Sequence, residues 1–191
     1  MAKDEPTIHF RLMAFFFRFR DLIKPPENIL REIDIRPGNR VLDFGCGPGS
    51  YSLAAARLVG ESGKVFALDI HPLAIKSVTQ RAARKGLKNI IAVFPENDTL
   101  FEEKCMDVIL LYDVFHEIEN KDQILNELHK ILCDNGVLSF SDHHLEEKEI
   151  TDAVMKGGYF KLVKKGKKTY TFKKNHTSQE GNIPNARMDD A

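Results

Sequence analysis

The stretch from Val41 to Ser50, VLDFGCGPGS, constrains this chain more than any other. An apolar pair, Val41-Leu42, is interrupted by Asp43, and Phe44 leads into Gly45, Gly47 and Gly49 at alternate positions. From Ser50 onward the apolar residues Leu53, Ala54, Leu58 and Val59 recur at helical spacing, and Gly60 ends the run. The pattern predicts a buried strand, a tight glycine turn and a helix. Glycine reaches positive φ at little steric cost and lets a ligand approach the backbone closely. A turn of this kind lies at the carboxyl end of a sheet, where open α/β folds hold nucleotide-like ligands. A turn without a ligand would not need a carboxylate inside an apolar strand, where an unpaired charge is costly.

Spacing narrows the ligand. A dinucleotide fingerprint reads G-x-G-x-x-G. Gly45 and Gly47 fit it, but Ser50 holds the place of its third glycine, and the chain reads G-x-G-x-G instead. The next apolar run, Lys64 to Asp69, ends in a carboxylate followed by Ile70. Asp69 stands about 20 residues past the last glycine, near the interval at which an acidic residue meets a ribose. An ionised carboxylate accepts from two hydroxyls at once and repels a phosphate, which argues against a phosphorylated dinucleotide.

The remaining chain repeats the strand and helix alternation. Pro72 opens a helix with Ile75, Val78 and Ala82 inward. Arg81, Arg84 and Lys85 in its last turn read as dipole partners and solvated surface. Asn89 to Phe94 is a third strand, running into Pro95-Glu96-Asn97-Asp98-Thr99. Asp107 to Asp113 is a fourth, apolar on both faces as a parallel strand between helix layers should be. It runs into Tyr112-Asp113-Val114-Phe115-His116-Glu117. His116 has two readings: a base for an acceptor hydroxyl or thiol, or a residue that caps or packs. Asp122 to Cys133 is amphipathic and stops at Asn135-Gly136; Val137 to Ser141 is the fifth strand, followed by Asp142-His143-His144. These histidines match no zinc spacing, so no metal is expected, and a polar wall of a substrate pocket is the better reading. Glu147 to Lys156 is a helix, and Tyr159 to Val163 with Thr169 to Lys173 is a hairpin around a lysine-rich turn, read as a charged edge. This order predicts a Rossmann-like, doubly wound α/β sheet, mostly parallel, with an antiparallel C-terminal hairpin strand and helices on both faces.

The G-x-G-x-G loop with Asp43, and the later stretches in their order, resemble the class I S-adenosylmethionine-dependent methyltransferases. The likeness is closest to small-molecule types that act on quinone precursors, and it covers Val41 to Lys173. It implies a seven-stranded sheet with one antiparallel strand, S-adenosylmethionine as cofactor and direct displacement at the methyl carbon. The loop residues Gly45, Cys46, Gly47, Pro48 and Gly49 would cradle that cofactor. Asp43 would face the methionine ammonium, and Asp69 with Ile70 the ribose. Glu96 or Asp98, with Asn97 between them, would meet adenine, although the family's usual Asp with an apolar pair is missing here. Tyr112 and Asp113 would line the cofactor, and Asp113 and His116 are the candidates on the acceptor side. A nicotinamide oxidoreductase and a cofactor-binding regulatory protein without transfer activity are the alternatives.

The chain has 191 residues, enough for one domain with a sizeable core. Lys plus Arg number 28 and Asp plus Glu 28, which argues against dedicated nucleic-acid binding; a small-molecule acceptor, apolar if the aromatic preamble covers it, is the partner that the resemblance implies. Cys46, Cys105 and Cys133 form no pairing motif, as expected of a reduced, cytoplasmic protein. No apolar run is long enough to cross a membrane. Residues 1–40 read as a helical preamble in which Phe10 to Lys24, FRLMAFFFRFRDLIK, has a wide aromatic face. That helix is a packing element, a lid over the site, or an interfacial membrane helix. Residues 41–174 are the cofactor-binding domain, and 175–191, polar and without periodicity, read as a mobile tail.

Overall fold

A computed structural model describes residues 15, 19–95 and 106–175. The first described stretch, residues 19–23, is helical. It leads to α1 (Pro26–Leu30), β1 (Arg40–Phe44), α2 (Ser50–Val59), β2 (Lys64–Leu68), α3 (Pro72–Arg84) and β3 (Ile90–Val93). Then follow β4 (Met106–Tyr112), a 3-10 turn at Phe115–Glu117, α4 (Lys121–Ile131), β5 (Leu132–Ser141), α5 (Glu147–Lys156), β6 (Phe160–Lys165) and β7 (Tyr170–Lys174). The strands form one seven-stranded sheet in the order β3-β2-β1-β4-β5-β7-β6. Strands β1 to β5 pair in parallel, while β7 runs antiparallel to both β5 and β6. The order reverses between β1 and β4, and this switch point is where such sheets open a crevice beyond their carboxyl ends.

Strand alternation builds two cores. Val41, Val65, Val108, Leu110 and Tyr112 face α1 and α2, packing with Leu30, Ala54, Ala55, Ala56 and Val59. Leu42, Phe66, Leu68, Ile109 and Leu111 face the other side, packing with Phe115 of the 3-10 turn, Leu125 and Leu128 of α4, and Ile150 and Val154 of α5. Each fully buried aliphatic or aromatic side chain here stabilises by about 1.5–3 kcal/mol relative to exposure. Caps fix where the helices begin. Pro72 starts α3 behind His71, whose Nδ1 accepts from the Leu73 amide at 3.1 Å. Glu146 and Glu149 form a reciprocal capping box on α5.

One local expectation is corrected and a second is extended. The amphipathic helix ends at Ile131, not Cys133, and β5 begins at once with Leu132. Leu132 pairs with Met106 and Val137 with Val108, so Asn135-Gly136 lies in an irregularity of the strand, not at a helix stop. Gly136 is needed there: a Cβ would sit 2.7 Å from Leu132 Cδ1 and 3.0 Å from the Asp107 carbonyl. Burial of Leu132 in the core outweighs one more helical turn. The lysine-rich turn between β6 and β7 is not only a charged edge. Glu32 reaches it from the preamble and accepts from the amides of Lys168 and Thr169, both at 3.0 Å, and from Thr169 Oγ1 at 2.9 Å.

Candidate active site

The glycine turn is built from three glycines with two kinds of duty. Their φ values are +74° at Gly45, +51° at Gly47 and +87° at Gly49, a region that side chains rarely enter. A Cβ on Gly45 would lie 2.6 Å from Val114, and one on Gly49 would lie 2.6 Å from Val78. These two glycines therefore let the turn nest between α3 and the segment after β4. Gly47 is different, because no described residue lies within 4 Å of where its Cβ would be. Its side of the turn opens onto space that a ligand can enter.

The turn's backbone is held from below. The amides of Gly45 and Cys46 both donate to the Leu68 carbonyl at 2.9 Å. Cys46 directs its side chain into the core with Ala67 and Val78, and burial pushes its thiol pKa up. The Pro48 carbonyl accepts from Ser77 Oγ at 3.2 Å and Arg81 Nη1 at 2.6 Å. Arg81 stands in the last turn of α3 as expected, but its guanidinium is not solvated surface: it is 21% exposed and positions the glycine turn. No sequence pattern could assign this bond, which joins residues 33 positions apart.

Asp69, directly beyond β2, accepts from the Gly47 amide at 2.8 Å through Oδ2 and from the His71 amide at 2.8 Å through Oδ1. Burial raises its pKa, and the two amides oppose that rise. Each oxygen uses one acceptor position on an amide and keeps another, so the pair can still receive two hydroxyls. Ile70 beside it is 66 % exposed. Asp43 is buried within β1 and accepts from Ser52 Oγ in α2. Burial drives its carboxyl up to about 6, against the Ser52 hydrogen bond and with some help from the charge of Asp69. Glu96, Asn97 and Asp98 lie outside the described residues.

Beyond β4 the chain turns sharply at Asp113, the one non-glycine with positive φ (+52°) among the described residues. Tyr112 is buried, edge-on to Tyr51 at 4.8 Å between ring centroids, and its hydroxyl meets Ser139 Oγ at 2.7 Å. It supports the wall and its hydroxyl is committed inside. Past this point two acid–imidazole pairs cross between the loops after β4 and β5. Asp113 Oδ1 meets His143 Nδ1 at 2.8 Å, and Asp142 Oδ2 meets His116 Nδ1 at 2.9 Å. Asp142 also accepts from the backbone amides of His116 at 3.1 Å and His144 at 3.0 Å. Burial alone would raise its pKa, but these donors hold it below the usual carboxylate value. The rings lie close in series and tilted by 43°, His116 against His144 at 4.1 Å and His144 against His143 at 3.9 Å between centroids. Ligating atoms of Asp113, Asp142 and His143 lie within 4.8 Å of one another, a spacing that suits a cation, and each residue is engaged in the bonds just given. The sequence places Asp142 in the polar stretch after the fifth strand but gives no sign of its pairing with His116, because the two are 26 positions apart.

The preamble reaches the same place. Asp21 accepts from Ser50 Oγ at the start of α2 and lies 3.8 Å from Arg81. Arg20 lies 3.9 Å from Asp113 and over the Tyr51 ring at 5.6 Å. Most of the aromatic face of Phe10 to Lys24 lies outside the described residues; Phe19, Leu22 and Ile23 are exposed. No helix among the described residues is long and apolar enough to cross a membrane.

A seven-stranded sheet in this order, with a glycine turn after β1 and a carboxylate after β2, defines the fold of class I S-adenosylmethionine-dependent methyltransferases. The chain belongs to the methyltransferase domain family, whose model matches residues 35–184. It is similar to a demethylmenaquinone methyltransferase of Geobacillus kaustophilus, 25% identical over 135 residues, covering 70% of this chain and 58% of the relative. It is also similar to a ribosomal RNA large subunit methyltransferase E of Chromobacterium violaceum, 36% identical over 130 residues, covering 68% and 57%. The chain thus spans little more than half the length of these curated relatives. A crystal structure of a SAM-dependent methyltransferase from Aquifex aeolicus shares the fold, with a TM-score of 0.70, 22% identity, and coverage of 80% of this chain and 90% of that one.

Proposed function

We propose that this protein transfers a methyl group from S-adenosylmethionine to a small-molecule acceptor. The observation that carries the reading is the open face of Gly47 beside Asp69, whose two oxygens each keep an acceptor position. A cofactor with an adjacent pair of ribose hydroxyls fits that donor and acceptor set. Asp69 and Ile70 would hold the ribose, Asp43 would act from beneath on the methionine ammonium, and Glu96 or Asp98 would meet adenine. When bound, the cofactor supplies a methyl carbon on a sulfonium, a leaving group that needs no activation. The protein's own task is alignment and exclusion of water. Asp113 and His116 stand on the acceptor side, and Arg20 and Asp21 close over the turn as part of a lid. Relatives named as a demethylmenaquinone methyltransferase and a ubiquinone/menaquinone biosynthesis C-methyltransferase support a small acceptor of quinone type, with either a ring carbon or a hydroxyl oxygen as the reacting atom. The cysteines, without pairing motifs, fit a cytoplasmic setting.

Isothermal titration tests the reading. S-adenosylmethionine or its demethylated product should bind, and NAD should not. Binding of NAD with no response to either sulfur compound would overturn it. Turnover with hydroquinones, phenols, thiols and an rRNA fragment then separates an enzyme from a cofactor-binding regulator and identifies the acceptor class.

A further inference from the structure

We propose that Asp142 is a positioning residue for His116, fixing its imidazole with the proton on Nδ1 so that Nε2 receives the proton of an acceptor hydroxyl. The inference rests on the methyl-transfer reading and deepens it. An ionised carboxylate can only accept, so the nitrogen facing it must carry the hydrogen. His116 Nδ1 lies 2.9 and 3.1 Å from the two oxygens of Asp142, which leaves Nε2 as the basic nitrogen. Nε2 has Glu117 Oε1 at 3.7 Å, beyond hydrogen-bond range. The Asp142 side chain is fully buried, while that of His116 is 23% exposed. One partner is thus anchored and the other reaches toward solvent. Two backbone amides fix the carboxylate in place, so the ring it holds has one orientation.

His116 also belongs to the right neighbourhood. It follows Val114, whose side chain packs against Gly45 of the cofactor turn. In the step inferred, the acceptor oxygen forms its bond to the methyl carbon as the carbon–sulfur bond breaks, with the electron pair going to sulfur. The hydroxyl proton passes to His116 Nε2, giving an imidazolium. Asp142 stays ionised and stabilises that imidazolium across Nδ1–H, as in other acid–imidazole pairs that fix a tautomer.

Nitrogen-15 NMR of the full chain with the demethylated cofactor product tests the tautomer without any acceptor. Wild type should show His116 protonated on Nδ1 alone, and Asp142→Ala should show the proton averaged over both nitrogens. A wild-type ring protonated on Nε2 would overturn the proposal. Asp142→Asn keeps the side-chain volume and one acceptor but sets an NH2 group against a backbone N–H, so circular dichroism checks the fold of both variants. The second readout is transfer to phenols of graded acidity. Both variants should lose about 100- to 10,000-fold toward weakly acidic phenols, the usual worth of a general base, and far less toward phenols already ionised in the assay. A loss of equal size across the series would mean that the pair only latches the two loops. Calorimetry keeps the two readings apart. Absence of cofactor binding by wild type sinks methyl transfer itself, whereas normal binding and turnover with the wrong tautomer sink only the role of Asp142.

Discussion

Asp69 carries two loads, and its variants should reveal both. On the proposed reading the carboxylate receives ribose hydroxyls, and in the structure it already holds the Gly47 and His71 amides. Hydrogen bonds to a charged acceptor contribute about 1.5–3 kcal/mol. Asp69→Ala should therefore weaken cofactor binding by about tenfold to a hundredfold, at roughly 1.4 kcal/mol per factor of ten. From sequence alone, Asp69→Asn would be the milder change, because its amide oxygen still accepts. The structure reverses that expectation: one oxygen becomes an NH2 group facing a backbone N–H, so Asp69→Asn should bind no better than Asp69→Ala. Calorimetric titration of both variants decides it. Gly47→Val makes a complementary test. The position is open but left-handed, so the variant should fold with a penalty of about 1–2 kcal/mol and lose cofactor binding. Gly45→Ala and Gly49→Ala, which strike Val114 and Val78, should instead lower the melting temperature more than Gly47→Ala does. Unchanged affinity in Gly47→Val would mean that the cofactor does not approach this face of the turn.

Among elements, the link between the preamble and the glycine turn matters most. Asp21 bonds Ser50 and pairs with Arg81, which itself holds the Pro48 carbonyl. The Asp21 and Arg81 side chains are only 15% and 21% exposed and stand 3.8 Å apart, so this latch is a partly shielded contact that ties the preamble to the turn outside both hydrophobic cores. Deleting residues 1–24 should leave the fold intact, lower cofactor affinity by severalfold and reduce methyl transfer further. Loss of both to the same degree, with a lower melting transition, would favour plain packing over a lid. The aromatic periodicity of Phe10 to Lys24 identified a helix-forming stretch, but it gave no sign that the polar residues Arg20 and Asp21 touch the site. Those contacts depend on residues 29 and more positions away, and no local pattern encodes them.

For the molecule as a whole, a carboxylate buried in the central sheet makes stability depend on pH. Burial raises the Asp43 pKa to about 6, above the value near 3.9 of an unfolded chain. Between these values the folded state holds more protons than the unfolded state. The contribution of Asp43 is then fully present below about pH 4 and is lost as pH rises through about 6, a change on the order of 3 kcal/mol. Urea unfolding of wild type and Asp43→Asn across pH 4 to 7 isolates it. The stability difference between the two should shift in favour of Asp43→Asn as pH rises, and a constant difference would show that Asp43 keeps the same charge in both states.

By itself the sequence determined the order of strands and helices, the glycine turn, and the carboxylates Asp43 and Asp69 at their places along the strands. These are local quantities: a period of two or of 3.6 residues, a glycine where φ must be positive, a charge where an apolar run is interrupted. Tertiary structure alone decided what those groups bond to. Ser52 was selected for Asp43, two amides for Asp69, Arg81 for the Pro48 carbonyl and Asp142 for His116. It also decided that β5 starts at Leu132, because a buried pairing with Met106 outweighs the helical pattern that runs past it. The physical reason is the same in each case. A donor and acceptor distant in sequence meet only when the sheet brings their strand ends together, and burial then makes the bond obligatory.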